Sequence, residues 1–331
     1  MTRICIVGAG AIGGWLGTLL GQLGGVQLSV LARGATLLAV QKNGLQWQRT
    51  ASDGTPQRLQ ARAVASDNAA DLGVQDVVIV SVKAPALAAV AAQLAPMLGQ
   101  DTALLSAMNG VPWWFLQGLK GTLTGQSLHS VDAAGGIARC IPAQHIIGCV
   151  VHASCSVIEP GVTQHHFGQG LIIGEPSGEA TARVHTLLAL LQQAGFDATL
   201  SQQIQRDIWY KLWGNMTMNP ISAITGATTD KILDDDLVRS FVSSVMLEAK
   251  AIGARMGLPI DQQPEDRHAV TRKLGAFQTS MLQDVLAHKP VELDALVGAV
   301  QELGQLTQVP TPYTDALFGL ARLHARTQGL Y

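Results

Sequence analysis

Short apolar, β-branched runs alternate with helix-like segments along the first part of the chain. Residues 3–7 form such a run and read as a buried strand. A glycine-rich turn follows, then an apolar segment to about residue 23 that reads as a helix. Residues 26–31 predict a second strand. Residues 76–82 and 102–106 predict two more, separated by an alanine-rich helix over 84–98. Strands alternating with helices predict a parallel sheet. Right-handed crossovers then bring every strand's C-terminal end to one edge, where ligands bind.

From about Ile146 the pattern changes. Residues 150–158, 162–167 and 171–174 are strand-like, with Glu159-Pro160-Gly161 as the turn between the first two. A helix over 179–194 and a last strand at 198–200 close this part. Beyond Ser201 the pattern is helical throughout. Residues 241–256 and 291–306 carry apolar positions at three- and four-residue spacing, in the second case Leu293, Leu296, Val297, Val300 and Leu303. The expected division is a sheet-bearing domain over 1–200 and an all-helical one over 201–331.

Composition narrows this picture. The chain has 331 residues, 47% hydrophobic and 14% charged, enough for two domains with a large core. A net charge of −2 and the absence of any basic run argue against nucleic-acid binding. The apolar stretch from Arg3 to Leu20 imitates a signal peptide, but its repeated glycines suit a membrane segment poorly. Cys5, Cys140, Cys149 and Cys155 show no CxxC spacing, which favours a reducing cytoplasm over a disulfide framework. His152, His165 and His166 lie on predicted strands without metal-ligand spacing, so no metal is expected. Asp234, Asp235 and Asp236 read as the solvated start of a helix.

The turn after the first strand, Gly8-Ala9-Gly10-Ala11-Ile12-Gly13, fits GxGxxG. Its first glycine permits a tight turn, its second lets backbone approach a pyrophosphate, and its third lets helix pack on strand. The motif alone is weak, but here it follows a strand and opens a helix, the context of a Rossmann-type dinucleotide site. An NAD site usually places a carboxylate about 20 residues on. No acidic residue precedes Asp53, and Arg33 stands just past the second strand. A guanidinium there can pair with a 2′-phosphate, which favours NADPH; the plainer reading is a solvated loop arginine. Lys83 and Asn109 follow two further strands, as phosphate or substrate contacts or as ordinary surface and turn residues.

The stretch 209–220 carries Lys211, Asn215 and Asn219 at i, i+4, i+8, one face of a helix, among Trp209, Leu212, Trp213 and Met216. Pro220 predicts that this helix bends or ends there. One lysine and two amides without acids suit an anionic ligand better than a capping or solvated face. Reduction of a ketone builds charge on its oxygen, which a lysine ammonium can stabilise and protonate. In a second cluster, Pro290 suits the first turn of a new helix and Glu292 lies in that turn. By residue type alone, Ser280 and Glu292 read first as helix-capping groups; the alternative is a Ser280 hydroxyl for a substrate carboxylate and a Glu292 carboxylate that accepts from a substrate hydroxyl or the nicotinamide ribose and pairs with Lys211.

These stretches, GAGAIG at 8–13, SVKAP at 81–85, MNGVP at 108–112, YKLWGNMTMNP at 210–220 and TSMLQD…KPVELD at 279–294, resemble the ketopantoate (2-dehydropantoate) reductase family in content and order. Glu159-Pro160-Gly161 and the 166–175 stretch resemble it too, while 131–149 is longer than in the shortest members. The resemblance covers almost the whole chain. It implies NADPH-dependent reduction of 2-dehydropantoate to pantoate in pantothenate and coenzyme A synthesis. It makes Lys211 the proton donor and Glu292 its catalytic companion near substrate and cofactor ribose. Asn109, Lys211, Asn215, Asn219 and Ser280 would hold substrate. Residues 8–13, Arg33, Lys83, Asn109 and Glu292 would hold NADPH. A monomer or homodimer in the cytoplasm, with no nucleic-acid or membrane partner, is expected. The alternatives are a reductase of another small branched 2-keto acid, a related hydroxyacid or opine-type dehydrogenase, or a dinucleotide sensor without catalysis.

Overall fold

The computed structural model describes residues 1–51 and 53–331. They form two compact units, one of residues 1–108 with 136–204, the other of residues 109–135 with 205–331. The stretch 109–135, expected on the sheet side of a single cut near residue 200, packs with the helices instead. Glu302 accepts from the backbone N–H of His129 and Ser130 at 2.7 and 2.8 Å, and Gln205 donates to the Gln117 carbonyl at 2.9 Å.

Ten strands build the first unit: β1 Thr2–Val7, β2 Val26–Leu31, β3 Leu45–Thr50, β4 Pro56–Ala61, β5 Val64–Ser66, β6 Gln75–Val80, β7 Leu98–Ser106, β8 Ile146–Glu159, β9 Val162–Gly174 and β10 Asp197–Leu200. They form one sheet ordered β4-β3-β9-β8-β7-β6-β1-β2-β5, with β10 also pairing β9. The run from β5 to β8 is parallel. β8 and β9 pair antiparallel, as do β3 and β4. The apolar runs Ile4, Ile6, Ile79 and Leu105 are buried because helices cover the sheet. These helices are α1 Ala11–Leu20, α2 Gly34–Asn43, α3 Ala84–Ala91, α4 Gly136–Cys140 and α5 Ala182–Gln193. The alanine-rich helix expected to reach residue 98 ends at Ala91, and a short 3₁₀ turn, Ala95–Met97, follows it.

Three strands, β3, β4 and β5, do not appear in the sequence reading. The two segments at 162–167 and 171–174 are one strand, β9, carried through a β-bulge opposite His152 and Ser154. Gly168 sits at this irregularity with φ +78°; a Cβ there would lie 2.4 Å from the His152 carbonyl oxygen. His165 is buried, bonds through Nε2 to the Gly168 carbonyl and stacks on Trp15, a structural role.

The second unit contains α6 Ile204–Thr225, α7 Thr229–Asp234, α8 Asp236–Arg255, α9 Pro264–Arg272, α10 Ser280–Leu286, a π-helical turn Asp294–Gly298, α11 Ala299–Thr307 and α12 Pro312–Thr327. Asp235 caps α8 by accepting from Leu237 and Val238 N–H. α6 does not end at Pro220. An interior proline costs about 3 kcal/mol, whereas each buried large apolar side chain contributes about 1.5–3 kcal/mol. Leu212, Trp213, Met216 and Ile221 are all buried on α6, so packing outweighs the proline. Among the described residues, no helix is long and apolar enough to cross a membrane.

Candidate active site

In the sheet unit, β6, β1 and β2 lie side by side, and Val7 stands opposite both Val80 and Leu31. The three strands therefore end level, and the residues just past them share one edge: the glycine turn, Arg33 and Lys83. Gly8 needs its missing side chain, with φ +91° and Val82 Cγ1 2.5 Å from where a Cβ would be. Gly13 likewise packs against the Gly8 carbonyl. Gly10 differs. Its φ is −79° and a Cβ would meet nothing within 4 Å. Neither conformation nor internal packing demands glycine there, but a pyrophosphate approaching the α1 N-terminus would. The residues fit a dinucleotide. Arg33 is exposed at the N-cap of α2 and enters no ion pair among the described residues. Lys83 is half-buried at the N-cap of α3.

In the helical unit, Lys211 and Asn215 are half-buried on α6 and Asn219 is buried. Lys211 Nζ donates to Asn109 Oδ1 at 2.8 Å, joining residues 102 positions apart. Asn219 Nδ2 reaches Ser280 Oγ at 3.5 Å, a weak bond at that length. Ser280 is exposed and does not cap α10; Thr279 does, accepting from Leu282 N–H. Glu292 is buried at 7% exposure. It precedes the helical run rather than standing in its first turn, as does Pro290. The backbone N–H of Val291 bonds to the Leu330 carbonyl, and the Glu292 carbonyl accepts from Leu296 N–H, so the helix starts after them. Gly110 follows Asn109, Val111 N–H bonds to the Ala295 carbonyl, and the Tyr331 hydroxyl bonds to Asp294. In sequence, the Asn-Gly pair at 109–110 and the KPVELD stretch touch on this group, while Ala295 and Tyr331 carry no signal.

A level-ended parallel sheet with an open glycine turn, and a helix presenting an ammonium beside an amide, define a dinucleotide-dependent oxidoreductase. Residues 4–178 match the family described as "Ketopantoate reductase PanE/ApbA", and residues 203–325 its "C terminal" counterpart. A 2-dehydropantoate 2-reductase of Mesorhizobium japonicum is 43% identical over 329 residues, 99% of each chain. A structure described as a candidate ketopantoate reductase of Ralstonia solanacearum MolK2 has a TM-score of 0.94 at 55% identity, covering 100% of this chain and 99% of that one. D-mandelate dehydrogenase, solved with NADH and anilino(oxo)acetate, shares the fold at TM-score 0.83 and 21% identity over 100% of both chains. The chain belongs to the ketopantoate reductase family.

Proposed function

We propose that this protein reduces 2-dehydropantoate to pantoate with NADPH, a step of pantothenate synthesis. The observation that carries the reading is the Lys211 ammonium held against Asn109 Oδ1 at 2.8 Å. This bond fixes the direction in which the ammonium points. Bound NADPH would supply the hydride. Lys211 donates a hydrogen bond to the ketone oxygen, stabilises the alkoxide charge and delivers the proton that completes the alcohol. Asn109 orients Lys211 and binds substrate or cofactor. Asn215, Asn219 and Ser280 offer amide and hydroxyl donors to the substrate carboxylate. Glu292 accepts from a substrate hydroxyl or the cofactor ribose.

The glycine turn at residues 8–13 holds the pyrophosphate, Arg33 the 2′-phosphate, and Lys83 a further phosphate oxygen. The dinucleotide thus belongs to the sheet domain and proton transfer to the helical domain. The cysteines, which form no disulfide, suit a cytoplasmic enzyme, working as a monomer or homodimer.

Lys211→Ala tests the reading. Turnover of 2-dehydropantoate should fall about 100- to 10,000-fold, while NADPH binding, followed by nucleotide fluorescence, persists. Full turnover in this variant would remove the mechanism. Faster NADPH consumption with another branched 2-keto acid would reassign the substrate.

A further inference from the structure

The turn that follows Glu292 is wider than an α-helix. Ala299 N–H bonds to the Asp294 carbonyl, five residues back. In a regular helix that donor would reach the Ala295 carbonyl. Here the Ala295 oxygen accepts instead from Val111 N–H at 2.8 Å. Val111 lies two residues after Asn109, and Gly110 between them has φ +80°. A Cβ on Gly110 would lie 2.6 Å from the Ala295 oxygen. The π turn is therefore the dock for the loop that carries the partner of Lys211.

Residues 330 and 331 tie the other side of this turn. Val291 N–H donates to the Leu330 carbonyl at 3.1 Å, and the Tyr331 hydroxyl donates to Asp294 Oδ1 at 2.7 Å. The two bonds bracket Glu292. Leu330 is buried, and the Arg326 guanidinium lies over the Tyr331 ring at 5.3 Å. Burial, together with the hydrogen bond to Asp294, pushes the Tyr331 phenol up to about 12, and like any tyrosine it is a donor at neutral pH. π turns are rare and frequently occur at functional sites. Losing the extra residue would rotate the preceding segment by about 100° about the helix axis. Ala295 would then leave Val111, and Glu292 would leave its place.

We propose that Tyr331 is a positioning residue: through Asp294 and the π turn it fixes where Glu292 stands relative to Asn109 and Lys211. This rests on the proton-transfer reading given above. The test uses the full chain and NADPH oxidation with 2-dehydropantoate, comparing Tyr331→Phe, Asp294→Ala, Asp294→Asn and the double variant Tyr331→Phe/Asp294→Ala. Tyr331→Phe and Asp294→Ala should each lower kcat on the order of tenfold, shift the same limb of the kcat–pH profile and leave the Kd for NADPH unchanged. The double variant should lose no more than either single one, because both break one bond. Asp294→Asn keeps an acceptor for the hydroxyl and should recover most of the loss.

Unchanged kcat and pH profile in Tyr331→Phe, with only a lower melting temperature, would reduce the residue to a strut and overturn the proposal. Additive losses in the double variant would also overturn it. Lys211→Ala, run alongside, separates the two levels. If it turns over normally, the site reading fails; if it is inactive while Tyr331→Phe runs at full rate, only the positioning role fails.

Discussion

An ammonium 2.8 Å from an amide oxygen has its direction set without losing its charge, which is what a proton donor to a growing alkoxide requires. A carboxylate in the place of Asn109 would neutralise that charge, and an apolar residue would remove the bond. Arg33 shows the opposite economy. It is exposed, past the end of β2, and not committed to an ion pair among the described residues. A 2′-phosphate would give it charge-assisted bonds of about 1.5–3 kcal/mol. Arg33→Ala should therefore raise the KM for NADPH about ten- to a hundredfold while barely changing that for NADH. Steady-state kinetics with both nucleotides decides it, and equal losses would remove the 2′-phosphate assignment.

Elements were legible where period and burial agree. β1 and β6 end in unbroken apolar runs over 4–7 and 77–80 inside the parallel sheet, and β2, VQLSVL, is buried over its last four residues. β3 is a half-legible case: Leu45 and Trp47 are buried and alternate with glutamines, but the run has only two apolar members. β4, with sequence PQRLQA, is largely exposed and carries almost no apolar signal. Its place is set by pairing with β3 rather than by burial. α6 runs through Pro220 because burial of the neighbouring side chains exceeds the local penalty. The π turn is invisible in sequence, since residues 291–306 show ordinary helical spacing and the extra residue is stabilised by distant groups. Gly110→Ala tests that dock. A left-handed alanine costs roughly 1–2 kcal/mol, and its Cβ would clash with the Ala295 backbone. Calorimetry should show a lower melting temperature, and kcat should fall because the Asn109 loop must shift. An unaltered kcat would mean that the dock does not hold the site.

At the scale of the whole molecule, the buried histidines include His165 in the sheet unit and His268 in the helical one. Burial lowers both below the ordinary value of 6.5. At His165 the hydrogen bond to the Gly168 carbonyl opposes this while Arg49 and His166 reinforce it; at His268 Glu265 opposes it while Arg239 and Arg272 reinforce it. The unfolded chain therefore takes up protons before the folded one as pH falls below 6.5. Their contribution to stability is complete above that pH and is lost on acidification, down to the lowered folded values. Melting temperature should decline below pH 6.5, and His268→Leu should flatten the decline. A wild-type slope in that variant would place the acid sensitivity elsewhere.

The sequence by itself determined the parallel core, the glycine turn at its edge, the helical second half and the identity of the polar residues on α6. All of these follow from local period, spacing and residue chemistry. Tertiary structure alone decided that residues 109–135 join the helices, that Lys211 meets Asn109, and that Tyr331 reaches Asp294. These contacts join residues far apart in the chain, and nothing in a residue's immediate neighbours specifies which distant partner the packed chain will bring to it.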